Sequence, residues 1–201
     1  MGFTAKQPES NFEDCPVGVH IARCFKLVDM GLQKKSYKGQ PKGEQQKIMV
    51  SWELLGDERT KEGENFVYTQ FYWMTLGENS LLRSHLEAWR GKALTDDEAA
   101  GFDISKLLGA YCQLNLVENK ENDKTYINIG SITPLHKSMP RPEPVNTITT
   151  FDMDDPDMAV FDTFSDKMKD ILRQSRSWPG NRTAEPVAAG HAIPETDDVP
   201  F

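Results

Sequence analysis

Paired cysteines, long apolar runs and catalytic signatures are all missing from this chain of 201 residues. Its three cysteines, Cys15, Cys24 and Cys112, are odd in number, widely spaced and without a C-x-x-C pair, which argues against a disulfide framework and against a zinc site. The four histidines, His20, His85, His136 and His191, are scattered in the same way, as ordinary surface or core residues are. No stretch of about 18 apolar residues occurs, and the opening Met1-Gly-Phe-Thr-Ala-Lys lacks the apolar centre of a signal peptide. A soluble cytoplasmic protein without membrane contact is therefore expected. No Gly-rich phosphate loop, G-x-S-x-G elbow, H-E-x-x-H or metal-binding carboxylate pair is present. Asp152, Asp154, Asp155 and Asp157 resemble a fragment of a calcium loop, but no bidentate acid closes it and Pro156 interrupts it. Acids at a helix start are the better account. We expect no enzyme, no metal and no cofactor.

Apolar residues are sparse as well, at 38% with a mean hydropathy of −0.58, so part of the chain is expected to stay unpacked. The net charge of −8 speaks against a polyanion partner only until it is divided along the chain. Residues 1–140 hold 17 Lys and Arg against 19 Asp and Glu, whereas residues 141–201 hold 6 against 12. Most of the acidity lies in the C-terminal part, and a local basic stripe, not the total, decides whether a polyanion binds.

What is present is organised around residues 47–90. Residues 47–54 alternate, with Ile48, Val50, Trp52 and Leu54 on one face and Lys47, Met49, Ser51 and Glu53 on the other, as in a half-buried strand. A Gly-containing loop follows, then a second strand over 66–76 rich in aromatic and β-branched residues. Residues 80–90 place Leu82, Leu86 and Trp89 at helical spacing between an Asn or Ser start and the stop Gly91. Before this unit, residues 17–28 form a long strand with apolar residues on both faces and a glycine suited to a bend. After it, Thr95-Asp-Asp-Glu98 is a capping box, and residues 111–117 and 125–132 give two more strands. The order β-β-β-α-β-β predicts a mainly β protein, a five-stranded OB-fold barrel, over residues 15–136. Residues 1–14 read as a flexible arm. Residues 137–178 read as a Pro-rich linker and one amphipathic helix over 155–178, which packs on the barrel or forms a dimer contact. Residues 179–201 read as a disordered acidic tail.

Two features suggest a nucleic-acid site. The segment between the first two strands carries Lys34, Lys35, Lys38, Lys42 and Lys47 around Tyr37, with one acid, Glu44. It is either a solvated hairpin loop or one of the two loops with which such a barrel clasps a strand. On the strand over 66–76, the face with Phe66, Tyr68, Tyr72, Met74 and Leu76 is assigned to the interior, which turns Phe71 and Trp73 outward beside Lys47. Outward aromatics beside a basic rim make a stacking platform for unpaired bases. The alternative is that the C-terminal helix or a second subunit covers them. Arg23, on the first strand, is taken as a further phosphate contact.

The wording of the chain carries a resemblance. Ala22-Arg23-Cys24, Ser51-Trp52-Glu53-Leu54, Leu81-Leu82-Arg83, Ala88-Trp89-Arg90-Gly91-Lys92, Gly101-Phe102-Asp103 and Leu107-Leu108-Gly109 resemble phage-encoded single-stranded DNA-binding proteins of the OB-fold type, over about residues 16–135. The last residues, Asp197, Asp198, Val199, Pro200 and Phe201, resemble the tip with which bacterial single-stranded DNA-binding proteins dock on replication and repair enzymes. The resemblance implies a protein of the bacterial host's cytoplasm that coats single-stranded DNA without sequence preference during phage or prophage replication or recombination. It also implies recruitment of partner enzymes through the acidic tip. A protein-binding adaptor of such a complex, without DNA affinity of its own, remains open, as do strand annealing and homo-oligomerisation.

Overall fold

The computed structural model of the chain describes residues 13–37, 39–121 and 124–182, with only the backbone of Tyr37. The expected arm over 1–14, apart from its last two residues, and the tail tip lie outside the described residues, as does Lys38. Among the described residues, six strands and four short helices follow in the order β1 (Gly18–Tyr37), β2 (Gln40–Leu54), β3 (Val67–Trp73), α1 (Leu81–Arg90), α2 (Asp96–Ala100), β4 (Tyr111–Glu121), β5 (Lys124–Pro134), β6 (Thr149–Phe151), α3 (Met158–Asp162) and α4 (Asp166–Gln174). A 3₁₀ turn at Ile104–Leu107 links α2 to β4.

Antiparallel pairing runs β3-β2-β1-β4-β5, and β6 adds to β1 in parallel. The hydrogen-bonded path ends at β3 and β5, so the sheet does not close into the expected five-stranded barrel. The side chain of Tyr68 on β3 spans the gap instead, its ring in the core and its hydroxyl donating to the Ile127 carbonyl of β5 at 3.2 Å. Partly buried Ile127 and Ile129 fill the same space.

The inner face behaves as its alternation requires. Ile48, Val50, Trp52 and Leu54 of β2, Tyr68 and Tyr72 of β3, and Cys112, Leu114 and Leu116 of β4 share one core with Leu82, Leu86 and Trp89 of α1. Ser80 caps α1 and Gly91 ends it in the left-handed region at φ 67°, where a side chain would also press on Pro134. Burial pushes the Cys24 thiol up to about 12, so it serves as a small apolar core group.

β1 departs from the expected pattern. It and β2 run on as one ladder to Tyr37↔Gln40, so the lysine-rich segment is an extended two-stranded arm and not a loop. Register shifts at Cys24/Lys26, Asp29/Gly31 and Lys34/Ser36 bend the strand and change which residues face inward. Val19 is 64% exposed, whereas Ala22, Cys24 and Leu27 enter the main core and Val28 and Met30 enter a second one.

That second core is built by the C-terminal part. Phe151, Met153, Phe161, Phe164 and Leu172 pack on Val28 and Met30, on the outer face of β1. The single helix expected over 155–178 is two, because Ser165 accepts from the Met168 amide and starts a new helix, while the Thr163 hydroxyl donates to the Val160 carbonyl at the break. The break lets Phe161 and Phe164 both turn toward Phe151. Gly31, at φ 66°, is where the two parts come closest: an added Cβ would collide with Ser175 and Ser177, whose hydroxyls bond the Leu32 backbone. Residues 179–182, assigned to the unpacked tail, are tied down by Asn181 donating to the carbonyls of Arg173 and Ser175 and by Arg182 donating to that of Met153.

His85 of α1 lies under the sheet edge, 2.7 Å from the Tyr72 hydroxyl, and burial depresses its pKa from 6.5 to about 4. Its folded-state pKa is below its unfolded one, so its contribution is complete above pH 6.5 and fades as pH falls toward 4. The difference corresponds to roughly 3 kcal/mol. Denaturant unfolding across this range should lose stability more steeply in the native chain than in His85→Gln; equal slopes would refute it.

Candidate nucleic-acid interface

The antiparallel register of β2 and β3 sets Lys47 opposite Trp73, Met49 opposite Phe71 and Ser51 opposite Thr69. Pleating turns all six outward, since their neighbours Ile48, Val50, Tyr68 and Tyr72 are buried in the core. Phe71 is 40% exposed and Trp73 is half-buried beside it. Their Cα atoms are two residues, about 6.8 Å, apart along the strand. The Lys47 ammonium sits 5.1 Å from the Phe71 ring centre and 5.0 Å from that of Trp73, and Lys35 reaches Trp73 from the arm at 5.7 Å. These are cation–π distances.

A cleft of about 830 Å³ opens over this face. Its floor holds Met49, Ser51, Thr69 and Phe71; the strip at Thr125–Asn128 of β5 and the segment Thr163–Ile171 of the C-terminal part form its sides. Lys26 and Lys47 project into it, and burial lowers the pKa of each from its usual 10.5. Among the described residues neither lysine makes an ion pair. Two half-desolvated ammonium groups in one cleft, one of them, Lys47, beside the exposed Phe71 ring, favour an anionic partner that also carries flat apolar groups, because only such a partner compensates both kinds of surface. The acids Glu13 and Asp14 line the end beside Cys15.

No protein-family model matches this chain, and no curated protein matches it either. The site therefore stands on its geometry.

Of the residues selected from sequence, Lys47, Phe71, Trp73 and Lys35 come together. Lys34 and Lys42 lie exposed along the arm, Lys34 opposite Glu44, whose carboxylate pairs with Arg176. Lys38, the side chain of Tyr37 and residues Asp197 to Phe201 fall outside the described residues. Arg23 is a correction. It is 6% exposed, its Nε lies 3.0 Å from Glu53 Oε1, and its Nη2 donates to the Asn146 carbonyl at 2.6 Å. The Pro-rich segment crossing the sheet covers it, which removes Arg23 from any strand on the surface. The C-terminal helices, considered as a cover for Phe71, pack on β1 and stop beside the ring, making a wall instead of a lid.

Three groups in the cleft were not singled out from sequence. Tyr126, 46% exposed, was legible in principle, since Ile127 and Ile129 facing inward turn Tyr126 outward. Lys26 reaches the cleft only because a bulge precedes it, and Lys167 only because α4 docks there.

Proposed function

We propose that this protein binds single-stranded DNA without sequence preference, as a phage or prophage replication or recombination protein. The observation that carries the reading is the half-buried Lys47 ammonium beside Phe71 and Trp73, with Lys47, Phe71 and a second half-buried lysine, Lys26, lining one open cleft. The strand order and the helix between β3 and β4 support an OB-fold, a barrel that is partly open and that binds oligonucleotides on strands 2 and 3 between its two long hairpins. The cleft lies on that face, flanked by the β1–β2 arm and by β5. Partner enzymes are assigned to the terminal Asp197-Asp198-Val199-Pro200-Phe201, an acidic peptide ending in one aromatic ring, and the bacterial cytoplasm is the proposed setting.

Tryptophan fluorescence titration with oligothymidine and with duplex DNA at two salt concentrations tests this. Binding should favour the single strand by at least about tenfold, and log K should fall with log salt by about 0.7 per phosphate contacted. Equal affinity for duplex and single strand overturns the proposal. No quenching by DNA, together with nuclease-insensitive capture of a replication protein, transfers the site to the adaptor reading.

A further inference from the structure

The side of the cleft facing Phe71 belongs to none of the five strands of the β3-β2-β1-β4-β5 path. It is Thr163, Phe164, Ser165, Lys167, Met168 and Ile171, the break between α3 and α4 and the first turns of α4. Phe164 and Met168 are anchored from behind in the second core, which fixes this segment against β1. The Lys26 ammonium, 5.9 Å from the Phe164 ring, joins the two sides. Lys167 is exposed and lines the cleft, and among the described residues it makes no ion pair. On the third side stands Tyr126, with its ring exposed. Basic groups thus come from three elements, Lys26 from β1, Lys47 from β2 and Lys167 from α4. The acids Glu13 and Asp14 lie at one end, where they would repel a phosphate and mark the limit of the path.

We infer that the C-terminal helical part is half of the binding site: a single strand threads between the sheet and α4, with Lys167 on its phosphates and Tyr126 stacked on a base opposite Phe71. The inference rests on the single-strand reading of the cleft. A path walled on both sides admits one strand with its bases turned in. A duplex, whose bases are stacked within, presents only backbone to the rings.

The test uses the full chain and a labelled oligothymidine. Lys167→Glu should weaken binding about tenfold, and Lys167→Ala should reduce the salt slope by about 0.7, the share of one phosphate. Lys169→Glu makes the same charge change on the same helix, but at a side chain directed to the Phe161 ring, and it should stay within about twofold. Tyr126→Ala should cost about fivefold or more. Thermal unfolding of each variant checks that the second core is intact. Equal losses in the two glutamate variants, or no loss in Lys167→Glu while Phe71→Ala with Trp73→Ala abolishes binding, overturn the helical wall. Intact binding in the latter double variant but loss in Lys167→Glu would keep the wall and overturn the stacking floor. Intact binding in all of them means the cleft reading itself has failed.

Discussion

Replacing Phe71 and Trp73 together with alanine is expected to weaken single-strand binding by at least about 30-fold. Each base stacked on an aromatic side chain contributes roughly 1 to 3 kcal/mol, so two rings supply about 2 kcal/mol at the least. Both rings stand on the solvent side of β3, and neither belongs to the core that Tyr68 and Tyr72 fill from the other side. Unfolding should therefore shift little. A second consequence follows from the lysine between them. Lys47 loses its cation–π partners but not its charge, so the salt dependence of the residual binding should persist while its strength drops. Affinity unchanged within about threefold would refute the platform.

Glu53→Ala is expected to cost about 3 to 5 kcal/mol of folding stability, the range for removing one partner of a buried ion pair. The Glu53 side chain is fully buried, on the outer face of β2. Its Oε2 accepts from the Val145 amide at 3.1 Å, the Asn146 amide at 2.8 Å and the Asn146 side-chain amide at 2.9 Å, and Oε1 faces the Arg23 guanidinium. One carboxylate thus holds the crossing segment to the sheet and neutralises the cation beneath it. Alanine would leave Arg23 buried without its counter-charge and three N–H groups without an acceptor. The melting temperature should drop by between about 6 and 20 °C, at 2 to 4 °C per kcal/mol for a chain of this size. Amide exchange at Val145 and Asn146 should accelerate before that of the main core. A loss below about 1 kcal/mol would show that the segment is held by other contacts.

Glu53 also shows where reading the chain by pattern stops. Alternation placed Lys47, Met49, Ser51 and Glu53 together on the outer face, which is correct as geometry. It could not distinguish positions 47 and 49, which line the cleft, from position 53, because what covers Glu53 comes from about 90 residues further on. The same distance concealed the fate of Arg23. Lys47, Phe71 and Trp73 were legible for the converse reason: their neighbours are one strand away, and the two-residue period decides which side they face. Lys26 escaped the period because a bulge shifts the register one residue before it.

By itself the sequence determined the local grammar: the inner faces of β2 and β4, α1 with its Ser80 cap and Gly91 stop, the capping box at Thr95, and the outward rings of β3. Those are set by periods of two and 3.6 residues and by caps that act within one turn. Tertiary structure alone decided which residues of β1 enter each core, that the helix expected over 155–178 breaks at Ser165, that the sheet stays open between β3 and β5, and that α4 walls the cleft. Each of these depends on which distant apolar surface reaches a face first, and burial of apolar area is non-directional, so no local pattern encodes it.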